Sequence, residues 1–169
     1  DSNGNIVVAG RFGNTPDFDL GPGVFNIAEW SLYDIFVAKY SASGALIWAK
    51  GFTGPTGSQK EIADLIIDAN NNMYLTGKFS GTMDFDPGVG QDLRVSNVSW
   101  NTFLIKMDGA GSVLWGHDFG SNSIGNEGVA LDFDSQGNLL WTGYYGGTID
   151  FDPSPSIANH TAPAGRDIF

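Results

Sequence analysis

The chain of 169 residues contains no cysteine, few basic residues and no long hydrophobic run. The absence of cysteine excludes a disulfide framework, a zinc site built on thiolates and a cysteine nucleophile. Only 8 lysines and arginines stand against 19 aspartates and glutamates, which gives a net charge of -11. Nucleic acid is therefore not an expected partner, because binding to phosphates depends on basic side chains. No apolar stretch approaches the roughly 20 residues that cross a bilayer, so we expect no direct membrane insertion.

What the chain does contain is an internal repeat. Asp1, Asp68 and Asp134 begin three stretches that align without gaps, at a spacing of 66 to 67 residues. Further matching stretches are residues 34–52 and 101–119, with residues 167–169 beginning a third copy. The 24 glycines and 7 prolines lie between short apolar runs, which favours an all-β protein rich in tight turns.

One period of the repeat predicts four strands, at about residues 62–67, 73–79, 102–108 and 113–119. Four antiparallel strands joined by short hairpins make one blade of a β-propeller. The predicted division is a partial blade at 1–52, a full blade at 61–119 and a partial blade at 127–169. A propeller closes with about 4 to 8 blades, whereas this chain holds about two and a half. The chain also begins without a methionine or a signal peptide, so we expect a segment of a longer chain whose remaining blades are its partners.

The second strand of each predicted blade is apolar on both faces and carries a glycine at the same place. These glycines are Gly10, Gly77 and Gly143. A glycine inside a strand predicts a bulge or the close approach of a neighbouring backbone. Trp48 and Trp115 are equivalent in the fourth strand, where we expect them to pack one blade on the next, and the alternative is an aromatic surface for a ligand.

The run from residue 34 to residue 52, together with the run from residue 61 to residue 88, resembles the bacterial seven-bladed β-propeller repeat family, also called SBBP repeats. The resemblance covers essentially the whole chain. It implies an exported, extracellular or cell-surface bacterial protein, and it implies no single activity, because a fold alone does not confer a function.

A pair of aspartates two residues apart recurs in all three copies of the repeat. The members are Asp17 and Asp19, Asp84 and Asp86, and Asp150 and Asp152. Two carboxylates on one side of an extended chain are candidate ligands for a hard cation such as calcium, with further oxygens from loop carbonyls, waters or a distant acid such as Glu29 or Asp92. The alternative is a structural turn, in which the carboxylates accept hydrogen bonds from nearby amides and the intervening phenylalanine packs inward. No other cofactor is expected.

The segments that follow the aspartate pairs differ most between copies. They are residues 22–33, 88–100 and 154–166. Variable segments on a repeated scaffold are common recognition sites, so Trp30, Tyr33 and Trp100 are candidates for stacking on a sugar ring or on a protein side chain. The same aromatic residues could instead cap the edge of each blade.

No combination of residues indicates catalysis. His117 and His160 occupy different repeat positions, and neither has the spacing of a catalytic triad or a metal site. The sequence therefore predicts a non-catalytic module that acts in binding, adhesion or scaffolding. The alternatives are a secreted glycan lyase or hydrolase with its active site outside this segment, and a calcium-stabilised repeat array.

Overall fold

The computed structural model describes residues 1–28, 33–55, 57–96, 99–121, 123 and 125–169, and those residues form strands and no helix. No part of this described chain is a helix that could cross a membrane. The strands are β1 (Ile6–Phe12), β2 (Asp34–Tyr40), β3 (Leu46–Phe52), β4 (Gln59–Ile67), β5 (Met73–Ser80), β6 (Thr82–Asp84), β7 (Leu93–Val95), β8 (Asn101–Met107), β9 (Val113–Phe119), β10 (Glu127–Phe133), β11 (Leu139–Asp150) and β12 (Asn159–Ile168).

Three antiparallel sheets follow one another along the chain. The middle sheet has four strands in the order β4-β5-β8-β9, and the outer sheets have the orders β1-β2-β3 and β10-β11-β12. The register is the same in equivalent pairs, since Met73 lies opposite Met107 in the middle sheet and Ile6 lies opposite Tyr40 in the first. The prediction of an all-β chain of repeated four-stranded units, as in a propeller segment, is confirmed. The boundaries assigned to the individual blades stay a prediction.

Tight turns join the strands where Asn or Gly supplies a positive φ. Asn71 (φ 64) and Gly137 (φ 82) lie in turns between first and second strands. In the turn before β5, the Asp68 carboxylate accepts the amides of Asn70 (2.9 Å) and Asn72 (2.8 Å). The local sequence therefore supplies both the positive φ and the hydrogen bonds that close these hairpins.

The glycine of the second strand faces a bulge in the first strand. A Cβ built on Gly77 would lie 2.0 Å from the Glu61 carbonyl oxygen, beside the register shift between Ile62 and Asp64. Gly143 meets the Glu127 carbonyl in the same way, at 2.1 Å. The predicted close approach of the neighbouring backbone is confirmed at both positions.

The sequence did not predict the second antiparallel ribbon that extends each second strand. In the middle copy β6 pairs with β7, and in the third copy the long strands β11 and β12 continue the same pairing to Asp150 and Asn159. In the first copy a single bridge joins Asp17 to Asn26. The sequence indicated no strand in these segments, because strands of three residues among Asp, Pro and Gly carry no readable alternation.

The main core lies between the first two sheets, and polar contacts also cross between neighbouring sheets. Its largest fully buried side chains include Phe52, Phe79 and Phe103. Lys60 Nζ lies 2.6 Å from Asp34 Oδ1, and both side chains are fully buried. Burial lowers the pKa of Lys60, and the bond to Asp34 partly offsets that effect.

Candidate functional site

The recurring aspartate pairs lie at the tips of the ribbons, in residues 17–25, 84–92 and 150–158, which we call the acidic loops. In the middle loop, Asp84 Oδ1 accepts hydrogen bonds from the amides of Asp86 (3.0 Å) and Asp92 (2.8 Å). This one carboxylate oxygen therefore joins residues eight positions apart and closes the loop. Asp86 Oδ1 in turn accepts the amide of Gly88 at 2.7 Å.

The other two acidic loops repeat this arrangement at the equivalent positions. Asp17 accepts the amides of Asp19 and Phe25, Asp19 accepts that of Gly21, Asp150 accepts those of Asp152 and Ala158, and Asp152 accepts that of Ser154. The carboxylates thus turn back on their own backbone in every copy. A hydrogen bond from the Ser154 side chain and amide lowers the pKa of Asp152.

The phenylalanine between the two aspartates anchors each loop to its sheet. Phe85 is fully buried, and its ring centroid lies 5.9 Å from that of Phe79 and 6.3 Å from that of Phe103. Equivalent aromatic groups occur in the first copy (Phe12, Phe18 and Phe36) and the third copy (Tyr145, Phe151 and Phe169). The predicted inward packing of this residue is confirmed.

Each acidic loop offers two carboxylates to a cation, and in each carboxylate one oxygen is already engaged by backbone amides. Calcium takes about 6 to 8 oxygen ligands, so several would have to come from elsewhere. Among the residues that the structure describes, no three His, Asp or Glu side chains are grouped as a metal site. Asp92 forms two bonds with Arg94 (2.8 and 2.9 Å), and Glu29 lies outside the described residues. The six loop aspartates stay predicted cation ligands.

A groove runs past the middle acidic loop, between the first repeat and the second. One cleft of about 770 Å³ lies between the loop and residues of β3, including Lys50 and Gly51. A second cleft of about 490 Å³ lies between the same loop and β9, where it is lined by Trp115 and Gly116. We call the two clefts together the inter-repeat groove. Lys50, Asp86, Pro87 and Gly88 line both of them.

The groove contains positive and negative charges in close proximity. The Lys50 side chain makes no hydrogen bond or ion pair with any of the described residues. Arg94 is held by Asp92 and lies 3.7 Å from Asp118 Oδ1. The hydrogen bond to Asp92 raises the pKa of Arg94. Lys50 is thus the cation of this groove that is left available to a ligand, and sequence reasoning missed it because a single lysine in a strand carries no motif.

Two of the aromatic residues predicted to contact a partner lie under cations of their own repeat. Arg11 lies 4.4 Å from the ring centroid of Tyr33, and Lys78 lies 5.1 Å from that of Trp100. Tyr33 is 45% exposed, while Trp100 is half-buried. Trp30 lies outside the described residues. A role of Tyr33 and Trp100 in partner binding stays a prediction.

The third copy exchanges the two members of this pair. Tyr144 stands where the other copies have Arg11 and Lys78, and Arg166 stands where they have Tyr33 and Trp100. Arg166 lies 4.4 Å from the Tyr144 ring centroid, so the contact survives the exchange. An alignment of the three repeats could have revealed this pairing before the structure.

Acidic residues at the start of the first strands link these cations across the repeats. Glu61 lies 3.2 Å from both Arg11 and Lys78, and Glu127 lies 2.9 Å from Lys78 and bonds to the Tyr144 hydroxyl. Partial burial opposes the charge of Lys78, but hydrogen bonds to Glu127 and Glu61 outweigh it and raise the lysine pKa. These charges compensate one another, which makes the inter-repeat groove the better candidate for ligand binding.

Comparison with curated proteins finds a relative in Acanthamoeba polyphaga mimivirus that is described as a WD repeat-containing protein. The identity is 28% across 97% of this chain, and the chain spans 13% of that protein's length. No family model matches the chain. The similarity and the repeated antiparallel sheets agree on a β-propeller-like repeat module. Assignment to the bacterial seven-bladed repeat family stays a prediction.

Proposed function

We propose that this repeat module is a non-catalytic binding scaffold that holds a partner in the inter-repeat groove. The observation that carries the proposal is Lys50, whose side chain has no partner among the described residues and which lines, together with Asp86, both clefts between the first and second repeats. The acidic loop that forms the groove wall is closed by its own hydrogen bonds and anchored by Phe85. A wall of this kind loses little conformational entropy when a ligand binds.

The surroundings of the two histidines support a role without catalysis. His117 stacks on Trp115 with a centroid distance of 5.3 Å, and His160 contacts the edge of Phe151 at 5.8 Å. A catalytic histidine needs a nucleophile and an orienting group within hydrogen-bond reach. No hydrogen bond joins either histidine side chain to the described part of the chain.

We further propose that the module works outside the cell or at the surface of a bacterium, as part of a longer protein whose other repeats are its neighbours. The resemblance to exported bacterial propellers supports this location, and the absence of cysteine together with the acidic composition is compatible with it. The binding face carries no excess of basic residues, which supports a partner other than nucleic acid.

The test is a binding screen that also records turnover. The purified chain is tested against peptide, protein and glycan libraries. Bound ligands are recovered, and their masses are compared with those of the starting ligands by mass spectrometry. We expect saturable binding of a ligand that is recovered unchanged, with at least tenfold weaker binding by Lys50→Glu. Lys106→Glu is the matched control, because Lys106 lies over Tyr74 and outside the groove.

Two results would contradict the proposal. One is a chemically altered ligand, which would favour an enzyme. The other is equal binding by the Lys50→Glu and Lys106→Glu variants, which would place the ligand elsewhere on the molecule.

A further inference from the structure

The two interfaces between neighbouring sheets differ at equivalent positions. Between the first and middle sheets, Asp34 and Lys60 form a fully buried ion pair. Between the middle and third sheets, the equivalent residues are Asn101 and Asn126, which are buried and uncharged. Asn126 needs no carboxylate there, because its side-chain amide donates to the Trp100 carbonyl at 3.0 Å. We call the two contacts the Asp–Lys interface and the Asn–Asn interface.

The residues around the two pairs differ as well. Gly54 leaves space for the Lys60 ammonium, since a Cβ at Gly54 would lie 3.1 Å from Nζ, whereas its equivalent in the second repeat is the larger Ser121. Asn101 donates to the Asp118 carboxylate at 2.8 Å, so an aspartate in its place would set two carboxylates against each other. Neither pair can therefore replace the other without further changes around it.

The apolar contacts beside the pairs follow the same division. Ile35 is fully buried in the core that joins the first two sheets, and Ile62 packs against that core. The equivalents in the next interface are Thr102 and Gly128, and a Cβ on Gly128 would already lie 2.9 Å from Thr102 Oγ1. The Asp–Lys interface thus has room for two isoleucines, and the Asn–Asn interface does not.

The third repeat carries the residues of the Asp–Lys interface. Residues 167–169 are identical to residues 34–36, whereas residues 101–103 begin with asparagine and threonine. Asp167 also lies opposite the second strand of its sheet in the register that Asp34 has in the first sheet. The third repeat therefore matches the first repeat, and not the second, at this position.

These residues of the third repeat are open, whereas their equivalents in the first repeat are covered. Ile168 is 78% exposed, while Ile35 is fully buried. Asp34 pairs with Lys60, but Asp167 forms no ion pair with any of the described residues. The third sheet at this end therefore resembles the first sheet with its neighbour removed.

We propose that this open end of the third repeat, formed by Asp167 and Ile168, binds a further repeat whose first strand carries lysine and isoleucine at the positions of Lys60 and Ile62. The lysine pairs with Asp167, and the isoleucine covers Ile168. A first strand like β10, with asparagine and glycine at those positions, would bury the carboxylate without a cation, which is strongly unfavourable. This inference rests on the proposed place of the chain among further repeats and names the kind of repeat that this end accepts. It does not depend on the inter-repeat groove.

The experiment adds a repeat to the whole chain. Because residues 167–169 and 34–36 are identical, residues 37–121 can follow Phe169 and supply a second copy of the middle sheet. The reference is the chain followed by residues 37–57, which completes the third sheet and adds no neighbour. Hydrogen exchange of the β12 amides, read by mass spectrometry, should be slower by roughly tenfold or more in the chain with the added repeat.

The contribution of the ion pair is measured by a double-mutant cycle across the new interface. Asp167→Asn, and Lys60→Asn in the added repeat alone, should each remove most of the slowing, and the two together should lose less than the product of the separate losses. Lys106→Asn in the added repeat is the matched control and should leave the exchange unchanged. In the reference chain Asp167→Asn should also have little effect, since no lysine faces it. Circular dichroism checks that each variant is folded.

The outcomes separate this inference from the proposal on which it rests. If the added repeat slows exchange equally with lysine or with asparagine, a further repeat packs here but Asp167 does not select it, and only the inference is overturned. Losses that simply multiply in the cycle overturn it too, because Asp167 and the lysine would then act independently. If the added repeat does not slow exchange at all, the inference and the proposed neighbouring repeats are both overturned.

Discussion

The second strand of the repeat occurs in three copies, and its exposure to solvent differs between the middle copy and the outer copies. Leu75 in β5 is fully buried, whereas the equivalent Val8 in β1 is 41% exposed. Both strands pair with their third strand in the same register, Leu75 opposite Ile105 and Val8 opposite Ala38. The pairing within the sheet is therefore not the cause of the difference.

The cause is the presence of a packed neighbour on both sides of the middle sheet. On the face that carries Leu75 the middle sheet packs on Ile35 and Val37 of β2. On its other face the Tyr74 ring of β5 lies 5.4 Å from the ring of Phe133 in β10, and Trp141 donates a hydrogen bond to Thr76 Oγ1 at 2.8 Å. In repeat arrays stability is approximately a sum of terms for each repeat and terms for each interface. Equivalent residues therefore contribute more to the stability of the fold where a neighbouring sheet buries them than where none does.

The largest effect expected from this comparison concerns leucines in the two kinds of strand. Leu75→Ala removes a fully buried side chain and should lower the free energy of unfolding by about 2–5 kcal/mol. Leu140→Ala makes the same chemical change in β11 at a side chain that is 51% exposed, and should alter it by about 0.5 kcal/mol or less. Urea unfolding followed by tryptophan fluorescence measures both. Equal losses would show that the neighbouring sheets do not set the difference.

The next effect concerns the glycine of the second strand. A Cβ at Gly77 would overlap the Glu61 carbonyl at 2.0 Å, so Gly77→Ala should cost about 1–3 kcal/mol. At Gly10 the nearest atom belongs to the Phe36 ring, at 3.1 Å, and a side chain can shift, so Gly10→Ala should cost less.

Gly143 separates two explanations of that effect. It lies in an outer sheet, yet it faces the Glu127 carbonyl at 2.1 Å, so Gly143→Ala should resemble Gly77→Ala in the same urea unfolding measurement. If Gly143→Ala lowered the free energy of unfolding as little as Gly10→Ala, the loss would depend on the position of the sheet in the array and not on the strand that faces the glycine.

A smaller effect is expected at the acidic loops. Asp84→Ala removes the acceptor of two amide hydrogen bonds in a half-buried loop, and should lower the free energy of unfolding by about 1–2 kcal/mol. Asp17→Ala removes the same bonds where the residue is exposed, and should cost less because water replaces the acceptor. Asp84→Asn keeps a side-chain oxygen as acceptor and is the matched control. Thermal unfolding measures all three, and a greater loss at Asp17 would contradict the reasoning.

If the loop aspartates bind calcium, we expect the ion to change the free energy of unfolding by a comparable or smaller amount. A cation that binds only the folded chain stabilises it by about 1 kcal/mol at five times its dissociation constant. The melting temperature should then rise with added calcium, fall with chelator, and lose this response when Asp84→Asn and Asp86→Asn are combined. Superimposable melting curves with calcium and with chelator would reject the cation and favour the structural turn.

The smallest difference between middle and outer copies is expected at the hairpin turns. For Asp68 burial raises the pKa, but hydrogen bonds from Asn72 and Asn70 outweigh it and hold the pKa below its usual value; Asp134 is held low by Asn138 in the same way. A carboxylate with a lowered pKa stabilises the fold above the unfolded pKa of about 3.9, and this stabilisation is lost as the pH falls through the folded pKa. Carbon-13 NMR titration should show both values below the usual one, and a normal value at Asp134 would show that the turn depends on its neighbours.

The sequence predicted those features that local rules or the repeat period determine. The second strands, the hairpin turns and the close contact at Gly77 follow from alternation, from Asn and Gly in turns, and from a glycine within a strand. The ribbon of β6 and β7 was not predicted, because its three-residue strands carry no readable alternation and the bond from the Asp92 amide to the Asp84 carboxylate that closes it has no sequence signal. Lys50 also escaped notice, because its place in a groove depends on how two sheets pack. Candidate sites formed by tertiary packing have no local sequence signal.

The exchanged pair of Tyr144 and Arg166 has a consequence for gene rearrangement within the repeat. The two partners lie in different strands, with the acidic loop between them in the chain. A recombination breakpoint inside that loop would bring Tyr144 together with Tyr33 or Trp100, or Arg166 together with Arg11 or Lys78. The first hybrid loses the cation, and the second sets two cations against each other. Breakpoints between repeats keep the partners together, so whole repeats are the units that can be duplicated, exchanged or grafted by design.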